Sequence, residues 1–238
     1  MLASTLLGAD PPDLPVAHLV HMAGLFGINA NRARVALSRM ATSGEVTTDG
    51  AGRYQLTGHL LERQHRQVAS RAGTTREWPG TWHVVVVTTA GSGPDVRGER
   101  RRALTLARLA ERREGVWLRP DNLDLHLGAD ITGDVAVFTG ATTDRPEHTA
   151  AVLWDLDGWA DRARDLLVRL DALAPSGPGD LAPGFVLSAA VVRHLQADPL
   201  LPAPLLPPLW PGADLRRVYD DWDRRYRRVL DRSGPSPG

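Results

Sequence analysis

Apolar residues recur with helical spacing at the start of the chain. In Leu14–Gly27, Leu14, Ala17, Val20, His21 and Gly24 trace one face and Leu19, Met22 and Ala23 widen it, which predicts a helix that Gly27 ends. A second helix follows, capped by Asn29 or Asn31, with Ala33, Ala36, Leu37 and Met40 at i, i+3, i+4 and i+7 as its buried stripe and Gly44 as its stop. Glu45–Thr48 and Gly52–Thr57 read as two short strands around an Asp49-Gly50 turn, and Gly58–Ala72 as a further helix. Helix, helix, hairpin is the order of a winged helix-turn-helix.

Beyond the linker-like Glu77–Gly80, the Val run of Thr81–Thr89 predicts a buried strand. Val96–Arg113 reads as a long helix with Ala103, Leu106, Ala107 and Ala110 on its apolar face. Gly115–Leu118 and Asp134–Phe138 are strand candidates, leaving Arg119–Gly133 room for only a short helix. Strand, helix, strand, strand suggests a small ferredoxin-like domain. From Asp157 the pattern is helical: an Asp157-capped helix carrying Trp159, Ala163, Leu166, Leu167 and Leu170, a Pro/Gly linker at Ala174–Gly184, a helix at Phe185–Gln196, a proline-dense loop at Asp198–Gly212, and a last helix at Leu215–Leu230. The fold class expected is therefore α+β in three parts: a winged helix over 1–76, a ferredoxin-like middle domain over 77–156, and a helical domain over 157–238 ending in a disordered tail, Ser233–Gly238.

Composition changes this picture little. With 238 residues, 42% hydrophobic and 24% charged, the chain is long enough for two or three small cores. It has no cysteine, which excludes disulfides, thiolate nucleophiles and Cys-ligated metals and fits a cytoplasmic protein. No stretch approaches the roughly 18 apolar residues of a membrane span, and Met1–Asp10 lacks the layout of a signal peptide. Net charge is zero and every basic side chain is Arg, a choice that codon bias explains as well as phosphate binding does. Distribution is more informative. Between Gly24 and Arg76, eight arginines face only Glu45, Asp49 and Glu62, a local excess of +5.

Several segments in chain order resemble the phenylacetic-acid degradation repressor family, the PaaX-like regulators: GINANRARVALSRMATSGEV (Gly27–Val46), RYQLTGHL (Arg53–Leu60), WPGTWHVVVV (Trp78–Val87), GVWLRP (Gly115–Pro120) and, most restrictive, RHLQADPLLPAPLLPPLWPG (Arg193–Gly212). The resemblance implies a winged helix, a middle domain of Cas2-like ferredoxin type, a helical C-terminal domain, and homodimeric repression of a catabolic operon from a double-stranded DNA operator, relieved by an acyl-coenzyme A (acyl-CoA) effector. The sequence departs from the family's pattern in having only Met1–Gly8 for the first helix, Arg53 as the wing's one arginine, and a trimmed stretch between Pro120 and Asp134.

For DNA binding the candidates are Asn29, Asn31, Arg32, Arg34, Ser38, Arg39 and Arg53. Such a helix enters the major groove with its N-terminal residues at base edges, where Arg grips guanine and Asn grips adenine, so Asn31 and Arg32 are expected at bases and Arg34 and Arg39 at phosphates. The plainer alternative is a solvated helix face. For an anionic effector the candidates are Arg100, Arg101 and Arg108 of the basic RGERRRALTLARLAERR segment, with Trp117 as an apolar wall; the alternative is arginines paired with Glu99 and Glu111. Trp78, Trp82, Trp117, Trp154 and Trp159 are expected mainly in cores. No catalytic residue, cofactor or metal site is expected. His18 and His21 have no third ligand nearby. A Cas2-like metal nuclease needs a carboxylate after the first strand, but Thr88-Thr89-Ala90-Gly91 offers none before Asp95. The other alternative is an interaction module that has lost DNA binding.

Overall fold

The computed structural model describes residues 1–89, 93–142 and 144–233, so the expected tail beyond Ser233 and the loop at 90–92 lie outside the described residues. The chain begins α1 (Leu2–Leu7), β1 (Asp13–Pro15), α2 (Val16–Gly24), α3 (Ala30–Thr42), β2 (Val46–Thr48), β3 (Arg53–Leu56) and α4 (Gly58–Ala72). It continues β4 (Trp82–Val87), α5 (Pro94–Leu106), β5 (Ala110–Arg113), β6 (Val116–Pro120), α6 (Ala129–Thr132), β7 (Val135–Gly140), α7 (Pro146–Leu153), α8 (Leu156–Ala172), α9 (Leu181–Gln196) and α10 (Gly212–Ser233). The fold is α+β. Its residues form two compact units, one from Met1–Ala72, Arg162–Ala197 and the chain from Pro211 onward, the other from Gly73–Asp161 and Asp198–Trp210.

In the first unit a three-stranded antiparallel sheet, ordered β1-β3-β2, pairs Leu14 with Tyr54 and Val46 with Leu56. Its core joins Leu2, Leu6 and Leu7 of α1, Leu19 and Ala23 of α2, Ala33 and Leu37 of α3, Val46, Leu56 and Leu60. Short as it is, α1 supplies three of these leucines. Gln64 and Gln67 of α4 donate to the carbonyls of Ala9 and Leu7, satisfying backbone acceptors at and just beyond the end of α1. Strand β1 is absent from the hydrophobic pattern because the expected helix was drawn from Leu14. Pro15 sits instead at the N-cap, and the residues before it pair with β3.

The same unit holds α9 and α10. Tyr219, Trp222 and Tyr226 stack along α10, with ring centroids 6.3 and 5.2 Å apart. Gly184 of α9 lies so close that an added Cβ would fall 2.6 Å from the Tyr226 ring. The expected linker at Ala174–Gly184 is helical from Leu181, since Pro183 falls in the first turn where a missing N–H costs nothing. Between α4 and α10, Arg71 pairs with Asp220 (2.6 Å) and with buried Asp223 (2.8 Å), and Arg227 pairs with Asp223 while donating to the carbonyl of Gly8.

The second unit is a four-stranded antiparallel sheet ordered β5-β6-β4-β7. The long helix expected over Val96–Arg113 is corrected. Helix α5 ends at Leu106, Arg108 takes a left-handed φ of 61°, and Ala110–Arg113 becomes β5, with Ala110 opposite Leu118 of β6. Ladder pairing overrides helix propensity here, and Leu104 rather than the 53% exposed Leu106 fills the core. Between β6 and β7 the four-residue α6 is as short as expected. Trp82, Leu118, Ala150, Leu156, Leu201 and Leu205 form one core cluster, and Val85, Leu104, Leu109, Trp117 and Ile131 another. The DPLLP segment is held in place by side chains: Asn122 donates to the Leu200 carbonyl (2.8 Å), Asp198 accepts from the Leu200 N–H, and Arg108 donates to the Asp198 carbonyl.

Candidate nucleic-acid interface

Five residues, Leu25–Asn29, separate α2 from α3. Gly27 adopts φ 71°, a conformation that favours glycine, and the N–H of Ile28 bonds the Ala23 carbonyl to close the turn. Asn29 then caps α3, its side-chain oxygen accepting from the Arg32 N–H at 2.9 Å. Of the two Asn candidates, the cap is Asn29. Its carboxamide oxygen is thereby occupied, while Asn31 stands exposed one residue into the helix.

Helix α3 has two contrasting faces. Ala33 and Leu37 are fully buried, with Ala36, Met40 and Ala41 packed beside them. Asn31, Arg32, Arg34, Ser38 and Arg39 are all exposed, as is Val35, at 45%. Among the described residues, Arg32, Arg34 and Arg39 form no ion pair. The small Ala33 and Ala36 let α3 sit deep against its neighbours while the arginines remain in water. Sequence reasoning passed over Val35, which lies one turn after Asn31 on the same stripe; the i+4 spacing was the available signal.

The β2–β3 hairpin is fastened at its tip. The Asp49 carboxylate accepts from the N–H groups of Ala51 (2.8 Å) and Arg53 (3.0 Å), bonds that hold it below its usual range. Arg53 is turned toward β1, pairing with Asp13 at 3.0 Å and donating to the Asp13 carbonyl. The hairpin's one arginine is thus partly neutralised, and its tip carries an acid.

The four effector candidates lie in the second unit as internal partners. Arg100 is 6% exposed and bonds Asp134 (2.6 Å) and the Thr89 hydroxyl (2.9 Å). Arg101 pairs with Glu111 and lies over the Trp117 ring, 5.7 Å from its centroid. Arg108 holds the Asp198 carbonyl, and Trp117 is buried in the core. The structure brings Arg101 and Trp117 together but places Arg100 and Arg108 in separate contacts. Arg119 was missed: it is 2% exposed and donates to Pro120 O, Ala107 O and the Asn122 side chain. Burial above all, then nearby Arg108 and Arg76, pushes it down to about 10. No group of three or more His, Asp or Glu among the described residues is placed to hold a metal ion. Nor is any helix among them long and apolar enough to cross a membrane.

Residues 2–60 match the PaaX-like protein model, and residues 154–233 match the PaaX-like protein C-terminal domain. The solved structure of the uncharacterized protein Rv0674 from Mycobacterium tuberculosis is 41% identical, over 97% of this chain and 95% of that one, with a TM-score of 0.75. No curated protein matches the chain. The chain therefore belongs to the PaaX-like protein family.

Proposed function

We propose that the protein is a transcriptional regulator, non-enzymatic, that reads double-stranded DNA through α3 lying in the major groove, with β2–β3 as the wing of a winged helix. The observation that carries this reading is the polar face of α3: three exposed arginines, without carboxylate partners among the described residues, around Asn31 and Ser38. A solvated surface helix in a chain of zero net charge would gain from acids among its arginines. This face has none. Arg32, Arg34 and Arg39 supply phosphate and guanine contacts, and Asn31 matches the N6/N7 edge of adenine. A single helix reads few bases, so the protein acts as a homodimer on a near-palindrome, repressing the operon it controls.

Selection from random duplexes, followed by salt titration of the winning site, tests this directly. Two phosphate contacts per protomer, from Arg34 and Arg39, give a slope of log K against log salt of about −3.6 for the dimer, at about 0.9 per contact. Absence of salt-dependent duplex binding would replace the reading with that of an interaction module. DNA incubated with Mg²⁺ or Mn²⁺ should remain intact. Relief by an acyl-CoA-type anion belongs to the same reading. Arg101, whose side chain is 63% exposed, would have to exchange Glu111 for the ligand, so Arg101→Ala should abolish release without weakening DNA binding.

A further inference from the structure

The outward stripe of α3 runs Asn31, Val35, Ser38, Thr42, at i, i+4, i+7 and i+11. All four are exposed, opposite the buried Ala33 and Leu37. Arg32 and Arg39 flank the stripe on one side and Arg34 on the other, by the helical repeat. The centre is therefore short and flat between long cations, the shape that lets a helix approach base edges while its borders reach the backbones. Within it Val35 stands out. An exposed helical position is better served by Ala, Glu, Gln or Arg, all stronger helix formers. Valine there exposes two methyls held in one rotamer by β-branching. Its neighbours along the stripe are too short and polar to cover it.

The major groove presents one apolar group, the C5 methyl of thymine. Resting on the DNA-binding reading above, we propose that Val35 is a specificity-determining residue that packs against a thymine methyl in each half-site. Its χ1 rigidity makes it a fixed apolar contact, and Asn31 one turn earlier supplies the polar contact to the neighbouring bases.

Deoxyuridine differs from thymidine only by that methyl, which gives a single-group test on the full chain. Each thymine of the selected duplex is replaced in turn by deoxyuridine, and binding is followed by fluorescence anisotropy at fixed salt. One thymine per half-site should weaken wild-type binding about fourfold when demethylated. Val35→Ala, which removes the contact from both half-sites of the dimer, should bind the unmodified duplex with about the square of that loss, roughly sixteenfold, and be indifferent to that replacement. Alanine is the better helix former, so the variant's melting temperature should not fall, and Val35→Ile should keep the thymine preference. A wild type indifferent to every replacement, or a Val35→Ala protein with undiminished sensitivity, overturns the assignment while leaving DNA binding intact. If the wild type selects no duplex at all, the functional reading itself falls and this inference with it.

Discussion

The α3 face of the first unit and the α5 and β6 arginines of the second use the same cation in opposite ways. On α3, Arg32, Arg34 and Arg39 are exposed and unpaired among the described residues. In the second unit, Arg100 is buried on Asp134, Arg101 lies between Glu111 and the Trp117 ring, and Arg119 is enclosed by carbonyl acceptors. The number of arginines was similar and uninformative; their partners decide what they do. Even the local excess of +5 between Gly24 and Arg76 shrinks on inspection, because Arg53, Arg71 and Arg76 have carboxylate partners. What remains for an external anion is concentrated on α3.

The largest expected effect tests the enclosed side. Arg119→Ala leaves a cavity and removes the donor shared by Pro120 O, Ala107 O and Asn122, so urea unfolding should show a loss of about 3 kcal/mol or more. A loss below about 0.5 kcal/mol, the scale of an ordinary surface change, would erase the contrast. Next comes the open side. Arg39→Ala should leave stability within about 0.5 kcal/mol yet weaken binding across sequences and reduce the magnitude of the salt slope by about 2 for the dimer, one contact per protomer. A destabilised Arg39→Ala protein would mean that α3's arginines are structural after all.

A third substitution moves an arginine from one class to the other. Asp13→Asn removes the negative charge beside Arg53 while leaving it neutral acceptors, the Asp13 backbone carbonyl among them; Arg53's side chain is 46% exposed, so the lost ion pair is worth little to stability, under about 1 kcal/mol. The wing cation, no longer neutralised, should tighten non-specific duplex binding severalfold, visible in anisotropy at low salt. Unchanged affinity would place the wing away from the phosphates.

Helix α3, the turn before it and the β2–β3 hairpin were legible in the sequence because each has a strong local signal: the Ala33/Ala36/Leu37/Met40 stripe, the Gly27 break, the Asp49-Gly50 turn. The exposed polar face of α3 followed from the same periodicity. Legibility failed where tertiary pairing overrides a local pattern. The Ala110–Arg113 run is helical by composition, but β6 claims it as a strand. Pro183 and Gly184 read as a linker, but the ring of Tyr226 requires the glycine's lack of a side chain and the first helical turn tolerates the proline. Partners distant in sequence were equally invisible. Nothing local distinguishes Arg53, held by Asp13, from Arg39, which has no ion-pair partner among the described residues. The restrictive DPLLP segment proves to be a packing device, with Leu200 at φ 51° and its carbonyl on Asn122.

The smallest expected effect concerns a charge that the first unit resists. His18 on α2 is held below its ordinary value of 6.5, chiefly by burial and then by His21, with Asp231 opposing. A base whose folded value is depressed binds its proton more readily when unfolded. Its contribution to stability is therefore intact above pH 6.5 and is lost as pH falls through 6.5 toward the folded value. His18→Gln cannot take up that proton, so the difference in unfolding free energy between wild type and variant should narrow in the wild type's disfavour as pH drops from 7.5 to about 5, the span over which histidine charge changes. Subtracting the two curves removes the histidines and carboxylates that do not interact with His18 and leaves His18 with its coupled neighbours His21 and Asp231. A flat difference curve would show that α2 accepts the charge, and that exposure on this unit extends beyond the α3 face to the helix packed behind it.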